Sequence, residues 1–435
     1  MADSHVGDEK SPGVKFSKGY RYYALGLLLL VYIFNFLDRQ ILSILMPLIK
    51  ADLGLSDTQL GLLSGLAFAL FYSTLGIPIA RWADRGSRRS IIALALAIWS
   101  AMTALSGLAG NFWQMAIARV GVGVGEAGCS PPSHSLISDF FPLEKRGTAM
   151  SIYSMGIPIG VLLGFLFGGQ LGETFGWRWT FVIVGAPGIL LALVVRYTLR
   201  EPTRGMSEKV AVKDEEFSIG QVFHVLWEKK TFRHLSFAAA LHAFTGYGVG
   251  TWVPSFLYRV HEMSLSNIGL VLAMVAGIAG GIGTFMGGWL TDKMQTRDQR
   301  WIVWVPGLAT AAAVPFAFGV YLLDDISYVV ASMILPNILG YMYLGPTFAL
   351  TQSLVSVKMR ALAAAILLLI INLIGLGLGP SFIGMLSDWF TGMWGPDGLR
   401  YALLSGVVIN LWCAAHYMFA ARYIREDIAA VHANS

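Results

Sequence analysis

Apolar stretches of membrane-spanning length recur along the chain, at 22–49, 57–81, 88–109, 112–138, 146–172, 177–199, 232–257, 264–290, 300–323, 326–354, 360–387 and 399–421. Each exceeds the roughly 20 residues that an α-helix needs to cross a hydrocarbon core. The pattern predicts twelve spans. A polar tail at 1–21 precedes them, a polar connection at 200–231 divides six from six, and a short tail at 422–435 follows. The first nineteen residues lack the apolar core and small-residue cleavage site of a signal peptide, so the first span is expected to stay uncleaved and both ends to lie on one side.

Composition agrees with the pattern. Hydrophobic residues make up 55% of the 435 and charged residues only 13%, against about 25% charge in an ordinary soluble domain. Too few charges remain to cover a water-facing surface, so the solvent around most of the chain is lipid. The net charge of +5 comes without a long basic run or aromatic-basic interleaving, which argues against nucleic acid. The 31 Lys and Arg are placed asymmetrically: 25 fall in the N-terminal tail and alternate connections, 4 in the opposite ones, and Arg39 and Arg119 inside spans. By the positive-inside rule both termini are cytoplasmic. The two cysteines, Cys129 and Cys413, sit within predicted spans and suggest neither a disulfide framework nor a metal site.

The halves repeat each other. Arg146 and Arg360 open spans 5 and 11, 214 residues apart, and Gly169-Gln-Leu-Gly-Glu173 and Gly384-Met-Leu-Ser-Asp388 close them at an offset of 215. Asp84-Arg85 after span 2 and Asp292-Lys293 after span 8 are 208 apart. Two pseudo-symmetric six-helix bundles, 22–199 and 232–421, are the parallel repeat of many secondary transporters, with substrate expected between them near mid-membrane. Gly156, Gly160, Gly164 and Gly168 form a smooth stripe on span 5, and span 8 is also glycine-rich. Such stripes read as close packing or as a sliding surface between the bundles.

Four ionisable residues lie deep in spans: Asp38 and Arg39 in span 1, Arg119 and Glu126 in span 4. Each costs roughly 2.5 to 3.5 kcal/mol at a helix centre on insertion scales, so they are expected to face protein or a water-filled cavity. Adjacent residues diverge by about 100° around a helix, and seven residues separate Arg119 from Glu126 by about 10 Å of rise. Pairing within either helix is therefore poor. The depths instead place the span 1 pair between the span 4 pair, which predicts Asp38 near Arg119 and Arg39 near Glu126. Burial favours a neutral carboxylic acid and a nearby arginine favours the carboxylate, so such a cluster can exchange protons. Its planar guanidinium groups can hold a phosphate or carboxylate.

Other residues are expected to play supporting parts. Tyr153, His242, Tyr247, Asn337 and Asn372 are polar or aromatic positions within helices, able to line a cavity. The loop Ala80-Arg-Trp-Ala-Asp84-Arg85-Gly-Ser-Arg88-Arg89 packs one carboxylate among four arginines. It anchors topology, and as a charge latch across the bundles it would gate conformational change. No His-Glu-x-x-His, paired cysteines or Gly-rich phosphate loop occurs, so no catalytic residue, metal, cofactor or nucleotide-driven cycle is expected.

These motifs resemble the major facilitator superfamily over essentially the whole chain. Asp84-Arg85 with Arg88-Arg89 matches its loop between spans 2 and 3, and Gly288-Trp-Leu-Thr-Asp292-Lys293 its copy between spans 8 and 9. Ala80 and Ser87 depart from that pattern, standing where it has glycine. Asn35-Phe-Leu-Asp38-Arg39, Asp52-Leu-Gly-Leu-Ser-Asp-Thr-Gln-Leu-Gly61, Arg119-Val-Gly-Val-Gly-Val-Gly-Glu126-Ala127 and Gly246-Tyr-Gly-Val-Gly-Thr-Trp-Val-Pro254 are similar to the Spinster branch. That resemblance implies a multi-pass transporter of amphipathic lipids, of the lysophospholipid or sphingosine-phosphate type, linked to protons. It carries over Asp38, Arg39, Arg119 and Glu126 as the proton and substrate site. The compact loops resemble a bacterial member, implying an inner-membrane monomer. Similar Asp-Arg and Gly-x-Gly-Glu-Ala stretches occur in the anion-cation symporter branch, so a small organic anion/proton symporter, or a drug/proton antiporter, is the alternative.

Overall fold

The computed structural model describes residues 16–206 and 217–433, and the described residues contain helices and turns but no strand. The first helix, Lys18–Leu53, starts where the Ser17 hydroxyl accepts the Tyr20 N–H and stops at Gly54. The next apolar stretch is two helices, Asp57–Ser64 and Leu66–Arg85. Arg88–Ser106 follows. Predicted span 4 breaks at Ala127–Cys129 into Phe112–Glu126 and Ser130–Phe140. After a short amphipathic helix, Ile219–Glu228, the second half of the chain runs through Lys230–Arg259, Leu265–Gln295, Trp301–Leu322, Ile326–Ser353, Arg360–Trp394 and Gly398–Ala433.

Eight described stretches are long and apolar enough to cross a membrane. Two of them, Glu144–Thr198 and Arg360–Val431, each contain two of the predicted spans. Predicted spans 4 and 7 are not among the eight: the first is interrupted and holds Arg119 and Glu126, and the second carries polar side chains such as His242 and Thr245.

The 55-residue stretch reverses direction at Gly176, whose φ of 74° only glycine adopts readily. Before it, Gly156 to Gly172 rise alongside Tyr32 to Leu45 of the first helix. After it the chain descends, from Trp177 donating to Asp52 at 3.1 Å to Thr198 bonded to Tyr20 and Tyr23. The glycine stripe therefore seats one first-half helix on another and is not a sliding surface between halves. Between the halves, close backbone approaches are instead Gly169 against Leu265 and Gly269, Gly384 against Asp57, and Gly61 against Pro380.

Polar contacts between the halves cluster at the end of the molecule remote from Lys18 and Ala433. Ser43 Oγ donates to the Thr251 carbonyl at 2.7 Å, and the Ser266 N–H to Glu173 at 2.8 Å. One apolar cluster there joins Leu37, Ile41 and Leu60 to Trp252, Phe256 and Ile383. The molecule is thus sealed at the remote end.

Candidate functional site

The four deep charges meet inside the first half. Glycines explain how. In the run from Arg119 to Glu126, a Cβ at Gly123 would stand 2.6 Å from the Phe68 carbonyl, and one at Gly125 2.7 Å from the Trp99 backbone nitrogen. Glycine at both positions lets this helix press directly onto Leu66–Arg85 and Arg88–Ser106, so Arg119 and Glu126 arrive beside the first helix. Overpacking against backbone cannot be relieved by a rotamer change and costs about 1–3 kcal/mol. Gly125→Ala is expected to lower the thermal unfolding midpoint in detergent, whereas Gly281→Ala, which meets nothing within 4 Å, leaves it unchanged.

Arg39 Nε donates to Glu126 Oε2 at 2.7 Å, the pairing expected from depth, and the Glu126 side chain is fully buried. The Arg39 guanidinium lies 4.9, 5.0 and 4.6 Å from the ring centroids of Phe36, Phe68 and Tyr72. Arg119 lies 5.3 Å from the Phe68 ring, so two cations share one aromatic ring.

In the other expected pairing Arg119 lies within electrostatic reach of Asp38, and of Glu126, without bonding either. Among the described residues no ion pair within 4 Å joins Asp38 to Arg119. Asp38, 1% exposed, accepts a hydrogen bond from the Thr103 hydroxyl at 3.2 Å through Oδ2, and its Oδ1 has no partner. Arg119, 2% exposed, leaves Nε unpartnered. Arg39 Nη2 and Glu126 Oε1 are also unpartnered and buried. The site thus combines one direct ion pair, one carboxyl on a neutral donor and one arginine within reach of both carboxylates but bonded to neither.

The supporting positions divide. His242 is held inside the second half, Nε2 against the Gly340 carbonyl at 2.7 Å and Nδ1 against the Thr310 hydroxyl at 3.2 Å, with its ring 3.9 Å from that of Tyr343. Asn337 donates to its own helix at Met333. Asn372 is buried in the wide turn Ile371–Leu378. Tyr153 is buried in the first half, stacked on Tyr32 at 4.3 Å and edge-on to His134 at 5.3 Å. Tyr247 packs against apolar clusters of both halves and lies within electrostatic reach of Arg39. Of these five, Tyr247 is the one the structure relates to the charged cluster.

In this state, closed at the remote end, the described contacts of Arg88 and Arg89 lie within the first half and the connection after it. Arg88 is buried and bonds Asp139 at 2.5 Å, Glu201 at 2.7 Å, the Ser135 hydroxyl and the Pro202 carbonyl. The Arg89 N–H reaches Glu201 at 2.9 Å. Burial pushes the Glu201 carboxyl up, but the Arg89 N–H, the Arg88 guanidinium and the Ser87 hydroxyl outweigh it and hold it below the usual carboxylate range. All these partners belong to the first half and the connection after it, so Arg88 clamps that connection in place. Arg85 is exposed, and the Asp84 side chain lies outside the described residues. In the matching loop Asp292 and Lys293 are exposed, with Gly288 in open space and Lys293 over the Trp289 ring.

A latch across halves exists at the remote end, built from residues that looked like ordinary span ends. The Asp57 carboxylate, buried, accepts from Lys50 at 2.5 Å, Arg259 at 2.8 Å and Ser387 at 2.6 Å. Asp388 in turn accepts from the Asp57 N–H, the Thr58 N–H and the Thr58 hydroxyl at 2.9, 2.7 and 2.6 Å. A carboxylate of one half thereby caps the helix N-terminus of the other, where donors have no partner within the helix. Asp388→Ala is expected to loosen this end. Spin labels in an A51C/M393C pair should then show a longer-distance population that the parent lacks; an unchanged distribution would remove Asp388 from the latch.

Comparison with known proteins agrees with this architecture. Residues 28–380 match the Major Facilitator Superfamily. The chain is 37% identical to a bacterial homologue of the human lysosomal transporter Spinster, over 95% of this chain and 99% of that one. The TM-score is 0.88 to its inward-facing, unoccupied crystal structure and 0.85 to its inward-facing, occupied one. An MFS-type efflux pump of Mycolicibacterium smegmatis is 34% identical, covering 93% of this chain and 94% of the pump. A probable L-galactonate transporter of Escherichia coli is 29% identical over 62% of this chain and 61% of its own length.

Proposed function

The chain belongs to the Major Facilitator Superfamily and resembles its Spinster branch, and from that premise we propose that it moves an amphipathic anion of the lysophospholipid or sphingosine-phosphate type across a bacterial inner membrane in exchange with or alongside protons. It does so as a monomer with twelve spans in two bundles, both termini cytoplasmic, by rocker-switch alternating access. The observation that carries this reading is the unequal use of the four charges. Glu126 is bonded to Arg39, while Arg119 lies within electrostatic reach of Glu126 and Asp38 without an ion pair to either, and Asp38 accepts from the Thr103 hydroxyl. A buried guanidinium whose donors are bonded to no carboxylate is suited to an anionic head group. A buried carboxyl with no cation bonded to it is cheaper to bury as the acid, so Asp38 is the proton carrier.

Mechanistically, head-group binding at Arg119 and proton loss from Asp38 change the charge of the same enclosed space. Either event can bias the two-state equilibrium only through unequal affinity for the two states. The Asp57–Asp388 latch holds the state described here, sealed on the outer side; opening outward must break it. Tyr247 supplies the second half's contact with the cluster.

Two other readings draw on relatives: the efflux pump favours a drug/proton antiporter and the galactonate transporter a small organic anion symporter. Counterflow in proteoliposomes, with lysophospholipids, sphingoid phosphates, small organic anions and cationic drugs as competitors, separates all three. Amphipathic phosphates are expected to compete best. Competition confined to sugar acids, or to cationic drugs, would replace the lipid reading.

A further inference from the structure

Away from the charged cluster, the second half carries a continuous aromatic and basic face near the chain termini. The helix Ile219–Glu228 lies against the bundle through Val222 and Leu226, which are buried, and leaves Phe223 and Trp227 exposed and stacked at 5.4 Å. Trp227 meets Phe237 at 6.4 Å, Phe237 meets His416 at 5.5 Å, and His416 Nδ1 stands 3.1 Å from His234 Nδ1. His234 stacks on Tyr423 and contacts Phe419 at 5.5 Å. Three cations border these rings. Lys230 lies over Tyr423 at 5.1 Å, Arg422 over Phe419 at 5.2 Å, and Arg233 is within electrostatic reach of His234.

Two of the nearby carboxylates are occupied elsewhere, and a third, Glu426, is exposed one turn beyond Arg422 with no ion pair to it within 4 Å among the described residues. Glu228 pairs with His224, and Asp427 accepts the Thr231 N–H. Arg233 spends Nε on the Trp227 carbonyl at 2.6 Å, but no carboxylate lies within ion-pair distance of Lys230, Arg233 or Arg422 among the described residues. The face thus offers partly exposed rings bordered by three cations that no carboxylate pairs within 4 Å.

We infer that this face is a binding site for the head group of a resident anionic phospholipid, separate from the transport site. Charge complementarity selects an anionic over a zwitterionic lipid. The aromatic rings and the amphipathic helix bury acyl-chain and glycerol surface beside it. The inference does not depend on which substrate the transporter carries.

Native mass spectrometry of the full-length protein, released from nanodiscs holding equal phosphatidylglycerol and phosphatidylcholine, tests it. The parent is expected to retain phosphatidylglycerol selectively. K230Q/R422Q is expected to lose that retention by roughly 30-fold, since each cation near a lipid surface contributes about 1 kcal/mol. The control R297Q/K145Q removes two exposed cations from the same end but outside the face and is expected to behave as the parent. Equal retention of both lipids by the parent, or equal loss in both double variants, would overturn the site. Displacement of the retained lipid by a lysophospholipid at low excess would also overturn it, by making the face part of the substrate route. Unchanged thermal unfolding of K230Q/R422Q in detergent ensures that its loss reports binding rather than misfolding.

Discussion

Replacing Glu126 with alanine is expected to lower transport by more than 100-fold and to destabilise the protein by about 3–5 kcal/mol, the usual cost of stranding one member of a buried ion pair. The Arg39 guanidinium would keep its three aromatic neighbours, but those contacts contribute only about 0.5–2 kcal/mol each, too little to replace a fully buried carboxylate at 2.7 Å. Glu126→Gln keeps the shape and one acceptor oxygen. It should fold with a smaller loss of thermal stability and still transport at least tenfold more slowly, because Arg39 would then compete with Arg119 for the anionic head group. Thermal unfolding read beside counterflow separates the two contributions. Parent-like transport by Glu126→Gln would mean that the Arg39 charge need not be neutralised.

Asp38→Asn is expected to remove the response to an imposed pH gradient while leaving counterflow and folding largely intact. Asparagine is close to isosteric with the protonated acid, and its amide can still bond the Thr103 hydroxyl. What it lacks is a proton to give up. Gradient-driven uptake or efflux in proteoliposomes should fall at least tenfold toward the level without a gradient, and counterflow, which needs no net proton movement, should stay within a few-fold of the parent. A retained pH response in this variant would move the proton to another group.

How much of this was readable beforehand depended on what each residue costs in lipid. Asp38, Arg39, Arg119 and Glu126 stood out because a charge inside an apolar stretch is expensive, and depth alone brought Arg39 to Glu126. Depth could not resolve Asp38. Thr103 competes for it from a third helix, and a threonine in a span carries no such penalty and gives no signal. Phe68 and Tyr72, which flank Arg39, look like any apolar pair four residues apart.

The latch that is made in this state lies at the other end of the molecule, for a related reason. Arg88 sits in a loop dense with charge, yet the structure buries it within one half. Asp57 and Asp388 stand at span ends, where a charge is usually solvated, and Asp57 becomes buried and Asp388 half-buried because the two halves meet there. Contacts of that kind depend on the conformational state, and a linear pattern does not encode which ends are closed. The glycines show the same limit: spacing identified a smooth face at Gly156–Gly168, but whether it meets its own half or the other one is a property of the assembled bundle.

The central claim, that an anionic substrate and one proton at Asp38 share a single site, is tested most directly by counting protons. Purified parent protein in weakly buffered detergent solution, mixed with a saturating lysophospholipid or sphingoid phosphate and followed with a pH indicator, should exchange about one proton per substrate bound, and Asp38→Asn should bind substrate without that exchange. Substrate binding with no proton exchange in the parent, or with the same exchange in Asp38→Asn, would contradict it.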